Sequence, residues 1–343
     1  MDLAAIVVAI LALGVLVIVH EAGHYLVAKW GGMRVSRFSV GFGRSIFSTR
    51  RDGTEFQIGI IPFGGYVQID GMHPEDGSDP DDPRSFLNRP RHLRAAAILA
   101  GPAANYLLAF LMLVVFYVGF ASEPRPPFEV LSVAEDSAAA SAGLETGDVL
   151  VGANGEPFDD VQGLGEAIDA AGGGSVPLLV KREGEQLELS VTPKPVGDGW
   201  RIGIGFRPIG SVPVELGPGE AVVRAGQEVG AVTQAIVGGL VALVQAPSEV
   251  TLSGPVGIVK GLSGQVQRSG EAAFRFVAQL SIMLGFFNLL PIPALDGARL
   301  VFLGVSALRR REVEPRLEAI VHGAGFLALL GLMLVVSYFD LLR

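Results

Sequence analysis

The chain has 343 residues, of which 50% are hydrophobic and 18% charged, and a formal net charge of −9 from 26 basic and 35 acidic side chains. Soluble proteins carry closer to a quarter charged residues, so the apolar surplus needs a bilayer or a very large core. Cysteine is absent, which excludes disulfides, iron–sulfur clusters and thiolate metal ligands.

The apolar residues are bunched. Leu3–Val19, Ala95–Phe120, Phe276–Leu295 and Ala319–Phe339 are each long enough to cross hydrocarbon as a helix. A signal peptide is the competing reading of the first run, but it needs a basic n-region and a small-residue cleavage site. The only charge before His20 is Asp2, and no cleavage signal follows. Within the first span, His20-Glu21-Ala22-Gly23-His24 matches H-E-x-x-H. Helical residues four apart share a face, so both imidazoles can meet one zinc ion, with Glu21 beside a water on that metal. Three ionisable groups inside a span cost about 2.5–3.5 kcal/mol each unless a partner compensates, and zinc is such a partner.

The loop that follows carries Lys29, Arg34, Arg37, Arg44, Arg50, Arg51, Arg84, Arg89, Arg91 and Arg94, while 123–271 is acidic on balance. Arg309, Arg310, Arg311 and Arg316 precede the last span. The positive-inside rule puts both basic loops in the cytoplasm and both termini, with 121–270, outside. Asp52-Gly53 between Ser45–Thr49 and Thr54–Ile61 signals a hairpin within about 41–71. Such an element beside the metal could pair with an extended substrate by strand addition, or could merely pack on the helices.

Beyond the second span, Ser137–Leu150 resembles the short helix, turn and strand of a bacterial PDZ domain. Asn154-Gly155 and Glu183-Gly184 supply hairpin turns, and Val161–Ala171 a helix. Val229–Val244 is apolar at helical spacing, but another crossing would carry the third span's site to the wrong side of the membrane. An amphipathic helix on the outer surface or against the spans is therefore expected. The third span ends in Asn288-Leu289-Leu290-Pro291-Ile292-Pro293-Ala294-Leu295-Asp296-Gly297. The prolines should open the helix there, and Asn288 offers an amide to a substrate backbone. Asp296 reaches a depth similar to that of His20 at 1.5 Å per residue, which makes it the candidate third ligand. His322 is the rival; early in span four with no partner at useful spacing, it reads as a packed or interfacial histidine.

The expected fold is an α-helical polytopic membrane protein with four transmembrane helices, a membrane-associated β-hairpin and one exterior PDZ-like β-rich domain. Its parts are span one (1–29), a basic cytoplasmic loop (30–94), span two (95–120) and the PDZ-like domain (121–196). An exterior linker with the amphipathic helix (197–273), span three (274–297), a cytoplasmic helix and basic loop (298–318) and span four (319–343) complete it.

HEAGH and NLLPIPALDG, with Gly101-Pro102-Ala103-Ala104-Asn105, Phe63-Gly64-Gly65-Tyr66-Val67 and Ser253-Gly254-Pro255-Val256-Gly257, resemble the site-2 protease family, specifically bacterial RseP-type regulated intramembrane proteases. The resemblance covers nearly the whole chain. It implies one zinc ion per chain, held by His20, His24 and Asp296, with Glu21 as general base. It further implies cleavage of single-pass membrane proteins, such as anti-sigma factors, or of remnant signal peptides, at the bacterial inner membrane. The active site would lie nearer the cytoplasm, and the PDZ-like domain on the periplasmic side. Substrate contacts are expected from Asn288, Pro291, Pro293, Gly65, Tyr66 and Asn105, and nucleic acid is not an expected partner. Two departures stand out: Ala298-Arg299 where many members have Gly-His, and one PDZ-like unit where some have two. The competing classes are a membrane-anchored PDZ scaffold with a structural or inactive metal site, and an ion transporter. Transporters show internal repeats and spread-out ionisable groups, neither of which this sequence has.

Overall fold

The computed structural model describes residues 3–73, 79, 81–160, 162–197, 199–246 and 253–342. Asp2 and Val161 of the sequence reading fall outside them, as does the side chain of Phe63.

The chain opens with α1 (Leu3–Trp30). Gly32, at φ +70°, stops it: the Met33 and Gly32 amides return to the carbonyls of Ala28 and Lys29, capping the last turn. Two long strands follow, β1 (Val35–Arg51) and β2 (Thr54–Ile69), joined at Asp52 (φ 49°) and Gly53 (φ 80°), the positive-φ pair of a tight hairpin turn. Residues 37–40 pair on one side with Gly65–Gln68 and on the other with Glu55–Ile58, so the element starts earlier than the expected 41. Glycine permits this crowding: a Cβ at Gly59 would lie 2.4 Å from the Phe42 carbonyl oxygen. Phe42, Ile46, Phe47, Ile58, Ile60 and Ile61 are exposed apolar side chains of this hairpin. The helix α2 (Arg91–Phe120) continues through Pro102.

Gly119–Leu216 is a separate compact unit. It contains β3 (Ser122–Val133), α3 (Ala138–Ser141), β4 (Val149–Ala153), β5 (Glu156–Pro157) and α4 (Gly163–Ala170). After these come β6 (Val176–Arg182), β7 (Glu185–Val191), β8 (Lys194–Val196), β9 (Gly199–Arg201) and β10 (Ile204–Pro213). The main sheet runs β10-β3-β4-β6-β7, with β5 on β4, around Phe128, Leu150, Leu164, Leu178 and Val180. Because β10 pairs along β3, the unit extends past the boundary expected at 196. Asp148 is buried and bound by both Arg182 Nε and Nη2 at 2.7 Å.

Met1–Val118 and Gly217–Arg343 form the other unit. Its later helices are α5 (Pro218–Gln245), α6 (Pro255–Arg268), α7 (Gly270–Leu289), α8 (Asp296–Arg309) and α9 (Pro315–Leu342). Among the described residues, five helices are long and apolar enough to cross a membrane: Ile6–Trp30, Arg91–Phe120, Pro218–Gln245, Gly270–Leu289 and Arg316–Leu342. Four match the expected spans and the fifth is α5. It packs on α2 and α7 through Ala225, Val229, Val232 and Ile236. Glu228 there accepts from Tyr117 Oη at 2.6 Å, Arg275 Nε at 2.8 Å and Gln279 Nε2 at 2.9 Å. The pairs Tyr117–Glu228 and Tyr106–Thr233 make α5 antiparallel to α2, as Ser281–Asn105 and Arg275–Glu228 make α7. Helices α5 and α7 are thus parallel, and the chain between them, which holds α6, turns back. That return meets the parity objection raised against a further span-length helix. Asp340 of α9 accepts from the Gly254 and Gly257 amides, both at 2.8 Å, and so caps α6.

Candidate metal centre

Two prolines set the local structure at the third span's end. Helix α7 stops at Leu289, where Pro291 and Pro293 cannot donate backbone bonds, and Asp296 becomes the first residue of α8 rather than the last turn of a long helix. Gly297 is required directly behind it, because a Cβ there would sit 2.1 Å from the Leu290 carbonyl oxygen.

His20 and His24 lie one turn apart on α1, both buried, with their Nε2 atoms 3.2 Å from each other. Asp296 Oδ2 is 3.1 Å from His20 Nε2 and 3.3 Å from His24 Nε2. Among the described residues these three form a group able to hold a metal ion. A tetrahedral zinc with bonds of about 2.0–2.1 Å sets its ligand atoms about 3.3 Å apart, so the triangle fits that ion. The outer nitrogens are held as well. His24 Nδ1 donates to the Ala97 carbonyl at 2.8 Å, which frees Nε2 to face inwards. His20 Nδ1 is 3.1 Å from Asn105 Nδ2, and the Asn105 oxygen is buried with no hydrogen-bond partner among the described residues. An Nε2 that faces a metal leaves the proton on Nδ1, and turning the Asn105 amide over about its last bond brings its oxygen to accept that proton.

Helix α2 forms the wall behind both imidazoles. A Cβ on Gly101 would lie 2.3 Å from His24 Nε2 and 2.8 Å from His20 Nε2. One on Gly23 would lie 2.3 Å from the Ala100 carbonyl oxygen. Small residues on both helices thus let α1 and α2 approach closely around the histidines.

Residues 8–332 match the model of peptidase family M50. The chain belongs to this family. A Nostoc sp. protein named "Putative zinc metalloprotease" is 35% identical over 341 residues, covering 96% of this chain and 93% of its own length. The Regulator of sigma-W protease RasP of Bacillus subtilis is 31% identical over 414 residues, covering 97% of each. Among solved structures, the PDZ domain of an SdrC-like protein from Listeria innocua is 27% identical, covering 24% of this chain and 93% of that one, with a TM-score of 0.22. The chain is thus a membrane zinc metallopeptidase of the site-2 protease type.

The remaining residues singled out in the sequence fall into two groups. Glu21 follows His20 on α1 and lies against β2, where a Cβ at Gly65 would be 3.6 Å from its Cγ. Tyr66 stacks on Phe42, and its hydroxyl meets Gln57 Nε2 at 3.1 Å. Gly65 therefore borders Glu21, and Pro291 and Pro293 form the loop leading to Asp296. Asn288 donates to the Leu284 carbonyl of its own helix at 2.9 Å. Asn105 is fully buried, with its side chain against His20. His322 turns to the Ala294 backbone, not to the His20–His24–Asp296 triangle. Sequence reasoning missed Gly23 and Gly101 as clearances; the small residues of HEAGH and GPAAN were the available signal.

Proposed function

We propose that the chain is an intramembrane endopeptidase in which His20, His24 and Asp296 hold one zinc ion and Glu21 is the general base. The observation that carries this reading is the triangle of His20, His24 and Asp296 atoms, with edges of 3.1–3.3 Å, drawn from two helices 272 or more positions apart in sequence. Bound zinc would polarise the scissile carbonyl and acidify water at the site. The Glu21 carboxylate takes a proton from that water and delivers it to the leaving nitrogen. Asn105 and the Ala97 carbonyl keep the two imidazoles in the tautomer that leaves Nε2 free. The Gly64–Ile69 segment, bordering Glu21, pairs with an extended substrate by strand addition, and Asn288 with the Pro291–Pro293 loop completes the groove. A helical substrate must unwind before its carbonyls can be attacked, and pairing offers its backbone new partners.

Substrates in this reading are single-pass membrane proteins, anti-sigma factors among them, or remnant signal peptides. RasP, the relative named for regulating sigma-W, supports this class. The Gly119–Leu216 unit would be a PDZ-like domain on the exterior face that screens substrates, with the metal centre nearer the cytoplasm of the bacterial inner membrane. The test is cleavage of a single-span reporter by purified wild type and Glu21→Gln, with bound zinc counted in both. The proposal requires zinc in both and cleavage by wild type alone; cleavage by the variant would refute Glu21 as base.

A further inference from the structure

The loop that delivers Asp296 is poorly held by its own backbone. Pro291 and Pro293 have no amide to donate, and its internal bonds are Ile292 to Leu290 and Leu295 to Ile292. Ala294, two residues before Asp296, sits at φ +78°, a conformation that costs an L-residue energy and persists only where neighbours enforce it. The enforcing contacts come from α9. His322 Nδ1 accepts the Ala294 amide at 3.0 Å. One turn on, Gly325 lets the Pro293 backbone press into α9, since a Cβ there would lie 2.3 Å from Pro293 Cβ and 2.8 Å from its carbonyl. An accepting Nδ1 puts the imidazole proton on Nε2, which has no hydrogen-bond partner among the described residues; Glu318 Oε1 is 4.0 Å away. The ring thus makes one hydrogen bond among the described residues, to the loop, and packs beside Phe302.

We infer that His322 is a positioning residue for the metal centre: its Nδ1 fixes the Ala294 peptide and thereby the direction in which α8 starts and Asp296 points. The inference rests on the reading of Asp296 as a zinc ligand. The peptide plane at 294 sets the path of the next two residues, so its rotation swings the Asp296 carboxylate away from His20 and His24. Asparagine carries its oxygen where histidine carries Nδ1, whereas glutamine carries its oxygen one methylene further out. Glycine at 294 adopts positive φ without cost and lessens the need for the bond.

The experiment uses the full-length protein in detergent, with zinc affinity and the absorption spectrum of the cobalt(II)-loaded form as readouts. His322→Leu and His322→Gln are expected to bind zinc about 10–100-fold more weakly, the usual effect of losing an outer partner of a metal ligand, and to alter the cobalt bands. His322→Asn should restore both, which a merely space-filling role would not predict. Ala294→Gly in the His322→Leu background should recover part of the loss. Asp296→Asn separates the two readings. If it binds metal like wild type, the assignment of Asp296 as ligand fails. If it loses metal while His322→Gln keeps wild-type affinity and spectrum, only the role of His322 is overturned. Should His322→Leu not accumulate, His322→Gln against His322→Asn still decides the matter.

Discussion

Replacing Gly101 with alanine tests how closely α2 backs the metal centre. The new Cβ would lie 2.3 Å from His24 Nε2, 2.6 Å from His24 Cε1 and 2.8 Å from His20 Nε2. Carbon and nitrogen rest at about 3.5 Å, so roughly 1 Å must come from the imidazoles or from α2 moving off α1. The second route would open the close approach of the two backbones at Gly23 and lose the packing there. Alanine favours a helix over glycine by about 1 kcal/mol, while overpacking costs about 1–3 kcal/mol. The net change in stability is then about 0–2 kcal/mol, small enough for the fold to survive. Metal geometry is far less tolerant: ligand distances hold to about 0.2 Å, and a 1 Å misplacement costs about 10²-fold in rate. Gly101→Ala, purified from membranes, should therefore melt near wild type yet carry little zinc by mass spectrometry and cleave a single-span reporter at least ~10²-fold more slowly. Full zinc occupancy with wild-type turnover would refute the packing argument.

Glu21→Gln should keep its zinc and lose about 10²–10⁴-fold in cleavage, the usual contribution of a general base. Asn105→Ala removes the acceptor behind His20 and should weaken zinc affinity or activity about 10–100-fold, read by competition with a chelator; unchanged affinity would remove Asn105 from the site. In the Gly119–Leu216 unit, burial alone would push the Asp148 carboxyl up, but the Arg182 guanidinium and the Glu145 amide outweigh it and hold it below the usual carboxylate range. The unfolded chain then takes up the proton at higher pH than the folded one, so this stabilisation is present at neutral pH and lost as pH falls through the lowered value. Asp148→Asn should cost about 1–3 kcal/mol at pH 7 and flatten the acid limb, measured by hydrogen exchange over 144–191. Equal acid sensitivity in both proteins would count against the pair.

Much of the molecule follows from local rules. HEAGH puts two histidines on one helical face whatever surrounds it, because the spacing is a property of the helix. Asp52-Gly53 forms the turn its residues favour, and Pro291 and Pro293 end α7 because they lack the bonds that would continue it. The hydrophobic runs similarly mark four of the five span-length helices. What local rules omit is which distant surfaces meet. Asn105 reads as an amide on offer to a substrate, and only the packing of α2 on α1 sets its side chain 3.1 Å from His20, 85 positions away in sequence. Helix α5 reads as an obstacle to bringing Asp296 to His20, and only the return of the chain through α6 removes it. The Gly119–Leu216 unit ends beyond 196 because β10 pairs with β3, a choice made by hydrogen-bond partners some 70 to 90 residues apart. His322 has no motif neighbour, and its bond to Ala294 exists only once α9 packs on the loop. Spacing along the chain determined the chemistry on offer at each helix and turn. Packing decided which of those groups converge, because Gly23, Gly101 and Gly325 act by the room they leave for a distant neighbour.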